Sequence, residues 1–362
     1  MGDIMQKEKR DKRVKMGKTG ERGKKREEEE AGKKGGRREK GGKEGEKGER
    51  EKEGKEEPLI GFIGQGFIGK NYADDFVRRG YKVVRYARGA EFAKNKIKIK
   101  ECDIVFIAVP TPSTPKGFDY SIVESALPLV GKGKRAVIKS TILPGTTETL
   151  QKKFPDIFIF HSPEFLREAS AAHDAAHPDR NIVGIPKDTD VYQQKAREIL
   201  SVLPHASYEA VLPVREAELV KYAGNCLLYA KVVFGNLLYD VVQQFGGNWE
   251  RIRDAVAADP RIGRSHLDPI HKSGHSERAG RGAGGHCFIK DFAAFSRLYR
   301  ERVRDPLGQK ILDALRDKNN ALLCASGKDV DLLKGVYGRA RSVRGSSQIT
   351  STKLQTISNT ET

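Results

Sequence analysis

Leu59-Ile60-Gly61-Phe62-Ile63-Gly64-Gln65-Gly66-Phe67-Ile68-Gly69 is the stretch whose reading decides the fold. A short apolar run ending at glycines has the pattern of a buried strand. The residues that follow, 67–79, have helical character. In that context the glycines permit a tight turn, and the start of the helix attracts a pyrophosphate. Gly64, Gly66, Phe67, Ile68 and Gly69 are therefore the expected dinucleotide-binding residues. The end of the next strand should carry an acid for the ribose hydroxyls, but it reads Val84-Arg85-Tyr86-Ala87-Arg88. NAD is the expected cofactor of such a loop, but with two arginines and no acid NADP or relaxed cofactor choice becomes possible.

The strand pattern recurs at residues 82–86, 103–109, 136–140, 157–160 and 181–185, separated by polar or helix-like segments such as 146–153. This alternation predicts an α/β fold, a doubly wound parallel sheet of Rossmann-like type with helices on both faces. After Pro213 the strand pattern stops. Residues 214–245 contain no proline, and Leu219, Tyr222, Ala223, Leu227, Ala230 and Phe234 recur at helical spacing. One helix of about 30 residues is expected, roughly 45 Å long, suited to a spine or a dimer interface. Shorter helices are expected over 249–258, 288–302 and 306–325. The expected division is a dinucleotide-binding domain at 58–212 and a helical domain at 213–337.

The first 57 residues hold 21 Lys and Arg against 16 Asp and Glu, few apolar side chains and no aromatic ones. Such a segment cannot bury enough surface to offset ordering, so a disordered arm is expected. Without aromatics to stack on bases it is not read as a nucleic-acid binder. Without an apolar run it is not a secretory signal. Residues 338–362 are Ser/Thr-rich and expected to fray. The whole chain carries +18, so its foldable part is basic too and suits small anions such as nucleotides. No stretch reads as a membrane span. Cys102, Cys226, Cys287 and Cys324 lie far apart with no Cys-x-x-Cys pair, which argues against a disulfide framework and for a reducing cytoplasm. His266, His271 and His275 lack the partners and spacing of a zinc site, and no metal is expected.

Several groups suit covalent carbonyl chemistry. Thr111 and Thr141 follow strand ends, at the sheet edge where ligands of such folds bind. Glu164 and Glu168 also follow a strand, one turn apart if helical, and are candidates for general base work. Lys221 and Asn225 are one turn apart on a mostly apolar helix, suited to holding an oxyanion. Gly284-Gly285-His286-Cys287-Phe288-Ile289-Lys290-Asp291 sets a thiol between glycines and a Lys-Asp pair. The glycines allow close approach of a substrate, a nearby cation favours the thiolate, and on a helix Asp291 shares the face of Cys287.

In this order these pieces resemble the UDP-glucose/GDP-mannose dehydrogenase family. The resemblance rests on the Gly64–Gly69 loop, Val109-Pro110-Thr111-Pro112, Ser140-Thr141 with Pro144-Gly145-Thr146-Thr147-Glu148, and Pro163-Glu164-Phe165-Leu166-Arg167-Glu168. Lys221-Tyr222-Ala223 with Asn225, Arg261-Ile262-Gly263 and Gly284-Gly285-His286-Cys287-Phe288 with Lys290-Asp291 complete it. It implies oxidation of a nucleotide sugar's primary alcohol to a carboxylate with two nicotinamide cofactors. Cys287 would carry the thiohemiacetal and thioester, Glu164 would activate water, Lys221 and Asn225 would hold the oxyanion, and Asp291 would assist proton transfer. Thr141 would orient water and cofactor, and Glu168 would lie near the nicotinamide. Glu164, Phe165, Leu166, Lys221, Asn225, Arg261 and Gly284 would line the substrate, with Arg261 reaching across a homodimer. The family's third, nucleotide-gripping domain is expected to be absent. The basic loop at 267–282 would then supply some phosphate contacts. The rival readings are a two-electron hydroxyacid-type dehydrogenase, which needs no cysteine, and a non-catalytic cofactor-binding regulator.

Overall fold

A computed structural model describes residues 57–338 except 116 and 276. The expectations for the arm up to residue 56 and for the tail from 339 lie outside the described residues. The chain runs β1 (Ile60–Ile63), α1 (Phe67–Arg78), β2 (Val83–Tyr86), α2 (Ala90–Ala93), a 3-10 segment (Lys94–Glu101) and β3 (Ile104–Ile107). A small hairpin of β4 (Ser113–Thr114) and β5 (Gly117–Phe118) leads to α3 (Ser121–Ala126), β6 (Arg135–Ile138), α4 (Thr146–Lys153) and β7 (Phe158–His161). Then come α5 (Ala171–Ala176), β8 (Arg180–Ile185), α6 (Asp190–Val202) and β9 (Tyr208–Pro213). The rest is helical: α7 (Val214–Gln244), α8 (Trp249–Ala257), α9 (Gly285–Arg302), α10 (Pro306–Ser326) and α11 (Val330–Tyr337).

The sheet order is β2-β1-β3-β6-β7-β8-β9. The expected parallel pairing holds from β2 to β7 and again between β8 and β9. The β7–β8 pair departs from it, running antiparallel with His161 opposite Gly184. Residues 162–179 contain only a 3-10 turn (Glu168–Ser170) and the short α5, and the chain doubles back instead of crossing over. β9 was not legible in the sequence. It is an edge strand whose first residues are exposed, so it lacks the continuous apolar run of a buried strand.

The period of two along each strand divides the core between the sheet's faces. Phe62, Phe106, Val137 and Phe160 pack with α1 and α6 on one face. Ile63, Val105, Ile107 and Ile138 pack with α3, α4 and the 3-10 segment on the other. Phe62 stacks on Phe106 at 5.1 Å. Because β1 neighbours both β2 and β3, a crevice opens at its carboxyl end, where the Gly64–Gly69 loop lies.

The predicted long helix is α7, about 46 Å over its 31 residues. By length and composition it is apolar enough to cross a bilayer, which corrects the reading that no stretch is. Its polar residues Glu218, Lys221 and Asn236 are nonetheless buried inside the protein. Tyr222 is buried as well, but Leu219, Leu227 and Phe234 from the same apolar set face outward.

The three loop glycines do different work. Gly64 has φ +94°, and a Cβ there would meet the Ala108 carbonyl oxygen at 2.1 Å. A Cβ on Gly69 would meet the Gly64 carbonyl oxygen at 1.9 Å. Around Gly66 nothing lies within 4 Å of that point, so the space is open to a ligand. Gly69→Ala should therefore cost about 3 kcal/mol in urea unfolding, the upper end of overpacking. Gly66→Ala should change stability by less than about 1 kcal/mol yet weaken dinucleotide binding measured by calorimetry.

Candidate active site

Three elements bring the candidate residues together: the segment after β7, the second and third turns of α7, and the first turns of α9. α9 begins at Gly285, so Cys287 and Asp291 lie one turn apart on one helix face, as expected. Lys221 Nζ donates to Glu164 Oε1 at 2.8 Å and to the Glu164 carbonyl oxygen at 2.8 Å. Glu164 Oε2 accepts from the Leu166 amide at 2.9 Å. Asn225 Nδ2 donates to Asp291 Oδ2 at 2.6 Å, and Lys290 pairs with the other carboxylate oxygen. Glu164, Lys221 and Asp291 are all buried.

The electrostatics couple these groups. Burial alone would lower the Lys221 pKa, but Glu164, Cys287 and Asp291 outweigh it and the net direction is upward. Lys221 is thus a firm cation at neutral pH, and two of its three protons are committed to Glu164. Cys287 presents an exposed surface. Protein packed around its sulfur still raises the thiol pKa through desolvation, while Lys221 opposes this and Asp291 and Glu164 reinforce it. Removal of the Lys221 charge would push the thiol higher still.

The Glu164–Glu168 pairing takes a different form from the expected shared helix face. Residues 162–167 are irregular, so one-turn spacing does not apply there. Glu168 opens a 3-10 turn, and its carboxylate lies so close under Gly274 that a Cβ there would meet Oε2 at 1.2 Å. Desolvation raises its pKa, His286 and His275 counter this, and Asp329 adds to it. Thr111 Oγ1 donates to the Thr141 carbonyl oxygen at 2.8 Å, so its proton is committed within the protein. The open space at Gly66 and the turn at Gly64 fit a pyrophosphate, which supports the cofactor reading of that loop. Arg261 stands apart: its side chain is 87% exposed and forks onto Asp259. Gly284 is required by Asp329, whose Oδ2 lies 2.1 Å from where a Cβ would sit.

Glu218 and Lys139 are among the residues that the sequence reading misses. Glu218, one turn before Lys221, accepts from the Gly145 amide at 2.6 Å and from the Thr147 amide and hydroxyl at 2.9 and 2.7 Å. It caps α4 from another helix. Lys139, at the end of β6, is buried with its pKa pushed down by desolvation to about 8. It reaches Ser162 Oγ at 3.1 Å and lies over the Tyr72 ring. A lysine ending an apolar strand was the available signal.

Residues 86–203 match the UDP-glucose/GDP-mannose dehydrogenase family, NAD binding domain, and residues 215–321 match that family's central domain. The chain belongs to the UDP-glucose/GDP-mannose dehydrogenase family. The glycine loop lies before the first matched residue and rests on its own geometry. A UDP-glucose 6-dehydrogenase of Rickettsia conorii is 32% identical over 211 residues, 56% of this chain and 46% of that protein. The chain spans about half the length of the curated relatives it matches. The structure of a UDP-glucose dehydrogenase from Pyrobaculum islandicum superposes with a TM-score of 0.62 and 27% identity, covering 78% of this chain and 72% of that one. The 3-hydroxyisobutyrate dehydrogenase of Mycobacterium tuberculosis superposes at 0.55 with 15% identity, over 77% of this chain and 98% of its own, which speaks to fold alone.

Lys221→Met should leave Glu164 as a buried unpaired carboxylate and cost about 3–5 kcal/mol in chemical unfolding. In the folded fraction the pH midpoint for alkylation of Cys287 should move upward, because the lost cation is the strongest group favouring the thiolate.

Proposed function

We propose that the chain oxidises the primary alcohol of a nucleotide sugar, of the UDP-glucose kind, to the carboxylate through a thioester on Cys287. The observation that carries this reading is the buried Lys221, held against Glu164 and electrostatically coupled to Cys287. Oxidation of the alcohol gives an aldehyde, and addition of the Cys287 thiolate gives a thiohemiacetal. Its oxidation leaves a thioester, and water then releases the acid and restores the thiol. Nicotinamide, when bound, supplies the hydride acceptor for both oxidations.

The chain's own residues do the rest. Lys221 keeps a proton free of Glu164 for an oxyanion. Asn225 is oriented for the same role by Asp291, which also assists proton transfer at the site. Glu164 is the base for water. Thr141 orients water and cofactor, Glu168 sits towards the nicotinamide, and Phe165, Leu166 and Gly284 line the sugar. The fold also serves two-electron hydroxyacid dehydrogenases, as the Mycobacterium structure illustrates. The thiol, cation, amide and carboxylate together favour the four-electron reaction.

NAD is the proposed cofactor, with NADP as the alternative. Arg85 is tied to Asp74 at 2.6 Å, which leaves exposed Arg88, just beyond β2, to meet a ribose phosphate. Free thiols at Cys102, Cys226 and Cys287 suit the reducing cytoplasm. The cofactor half at 58–212 and the helical half at 213–337 divide the work. A homodimer is part of the proposal. Leu227, Phe234 and Phe245 are 72%, 60% and 85% exposed along α7, a stripe too apolar to face water alone. A partner would offer Arg261 to the facing site.

With UDP-glucose, wild type should form two reduced cofactors per acid, and Cys287→Ser should stop acid formation while still binding NAD. A ratio of one, or turnover in the serine variant, would favour the two-electron reading. Sedimentation at micromolar concentration should show a dimer that Leu227→Glu with Phe234→Glu dissociates. A wild-type monomer would remove the interface.

A further inference from the structure

The glycine-rich approach to α9 is held by groups from the far end of the helical region. Lys328 is fully buried and its Nζ donates to the Gly280 and Gly282 carbonyl oxygens at 3.3 and 3.1 Å. Asn319 receives the Ala283 amide at 2.7 Å and donates to the Ala283 carbonyl at 3.0 Å. Asp329, also buried, accepts the Gly285 amide on Oδ2 at 2.8 Å and the Ser273 hydroxyl on Oδ1 at 2.9 Å. Helix α9 has glycine at its N-cap and no side chain there to cap it. Asp329 supplies that missing cap from the turn between α10 and α11. To do so it adopts φ +54°, a left-handed conformation that a non-glycine residue rarely takes. Gly284 has no room for a side chain because the same carboxylate lies against it.

Cys287 is the third residue of this helix, two positions beyond the capped amide. We propose that Asp329, supported by Lys328, is a positioning residue that fixes the first turn of α9 and so holds the Cys287 sulfur within reach of Lys221. The proposal rests on Cys287 being the nucleophile. Asp329 acts through the Gly285 amide. Fraying of the first turn would carry the sulfur away from the cation that favours its thiolate. Cys287 would then react more slowly, without the substrate pocket being emptied.

Two variants separate positioning from bulk stability. Asp329→Gly removes the cap but accepts positive φ without strain. Asp329→Asn keeps an acceptor oxygen and tolerates the same backbone conformation. Iodoacetamide labelling of the full chain at fixed pH, located at Cys287 by peptide mass spectrometry, should slow by about fivefold or more in Asp329→Gly. With UDP-glucose its kcat should fall about tenfold or more while KM stays within about threefold, since small misplacements act on turnover. Asp329→Asn should restore both to near wild type. Labelling in Asp329→Gly at or above the wild-type rate would overturn the proposal, as would a fall in melting temperature alone. The labelling arm needs no turnover, so it reads Asp329 even where UDP-glucose proves not to be oxidised.

Discussion

The buried pair of Lys221 and Glu164 is the constraint on which the arrangement depends. Two charges in a dry interior are costly unless their geometry is good and their remaining hydrogen-bonding capacity is met. Here Lys221 reaches both the carboxylate and the main-chain carbonyl of one residue, and the carboxylate takes an amide as well. This fixes the rotation of α7 about its own axis. Glu218, Lys221 and Asn225 occupy positions i, i+3 and i+7 on one face of the helix. Each is tied to a different element: α4, the segment after β7, and α9. A helix apolar enough to look generic is therefore locked by three polar contacts.

That lock links the cofactor side of the protein to the thiol side. Glu218 holds the start of α4, which follows the Thr141 turn at the sheet edge. Thr141 accepts from Thr111 across that edge. The loop with open space at Gly66 follows β1 at the same edge of the sheet. The fold alone fits more than one dehydrogenase chemistry, as the shared architecture with a hydroxyacid enzyme shows. What separates the readings is local: a thiol whose pKa answers to Lys221, Asp291 and Glu164 together.

Local signals in the sequence were legible where one residue had one short-range job. The apolar run into Gly64, the helical spacing over 214–245 and the Cys287–Asp291 interval each depend on backbone period or turn chemistry, and each reads correctly. β9 was hidden because an edge strand does not need a continuous apolar run. The antiparallel β7–β8 pair was hidden because a strand's direction depends on where its connection goes. The spacing of Glu164 and Glu168 predicts one shared face, but without a helix they diverge, one to Lys221 and the other beneath Gly274. The spacing of Leu227 and Phe234 indicates a helix but not which side they take, and the structure turns them outward. Glu218, Lys328 and Asp329 gave no signal, because a cap supplied from distant sequence leaves no local pattern.

The Cys287 helix is therefore tied from two directions that share no residue. Asn225 on α7 holds Asp291, and Asp329 beyond α10 holds the Gly285 amide. Cys287 lies between the two anchors, within a turn of each. A single anchor would leave the first turn free to fray or the helix free to pivot. Two fix both the direction and the depth of the sulfur. The residue as a whole is exposed, so the position of its sulfur depends on the backbone that carries it. Glycines at 284 and 285 fit this arrangement: one makes room for the Asp329 carboxylate, and the other turns the chain at φ +83° into the helix. On this view they serve the cap first, and any close approach of a substrate follows from it.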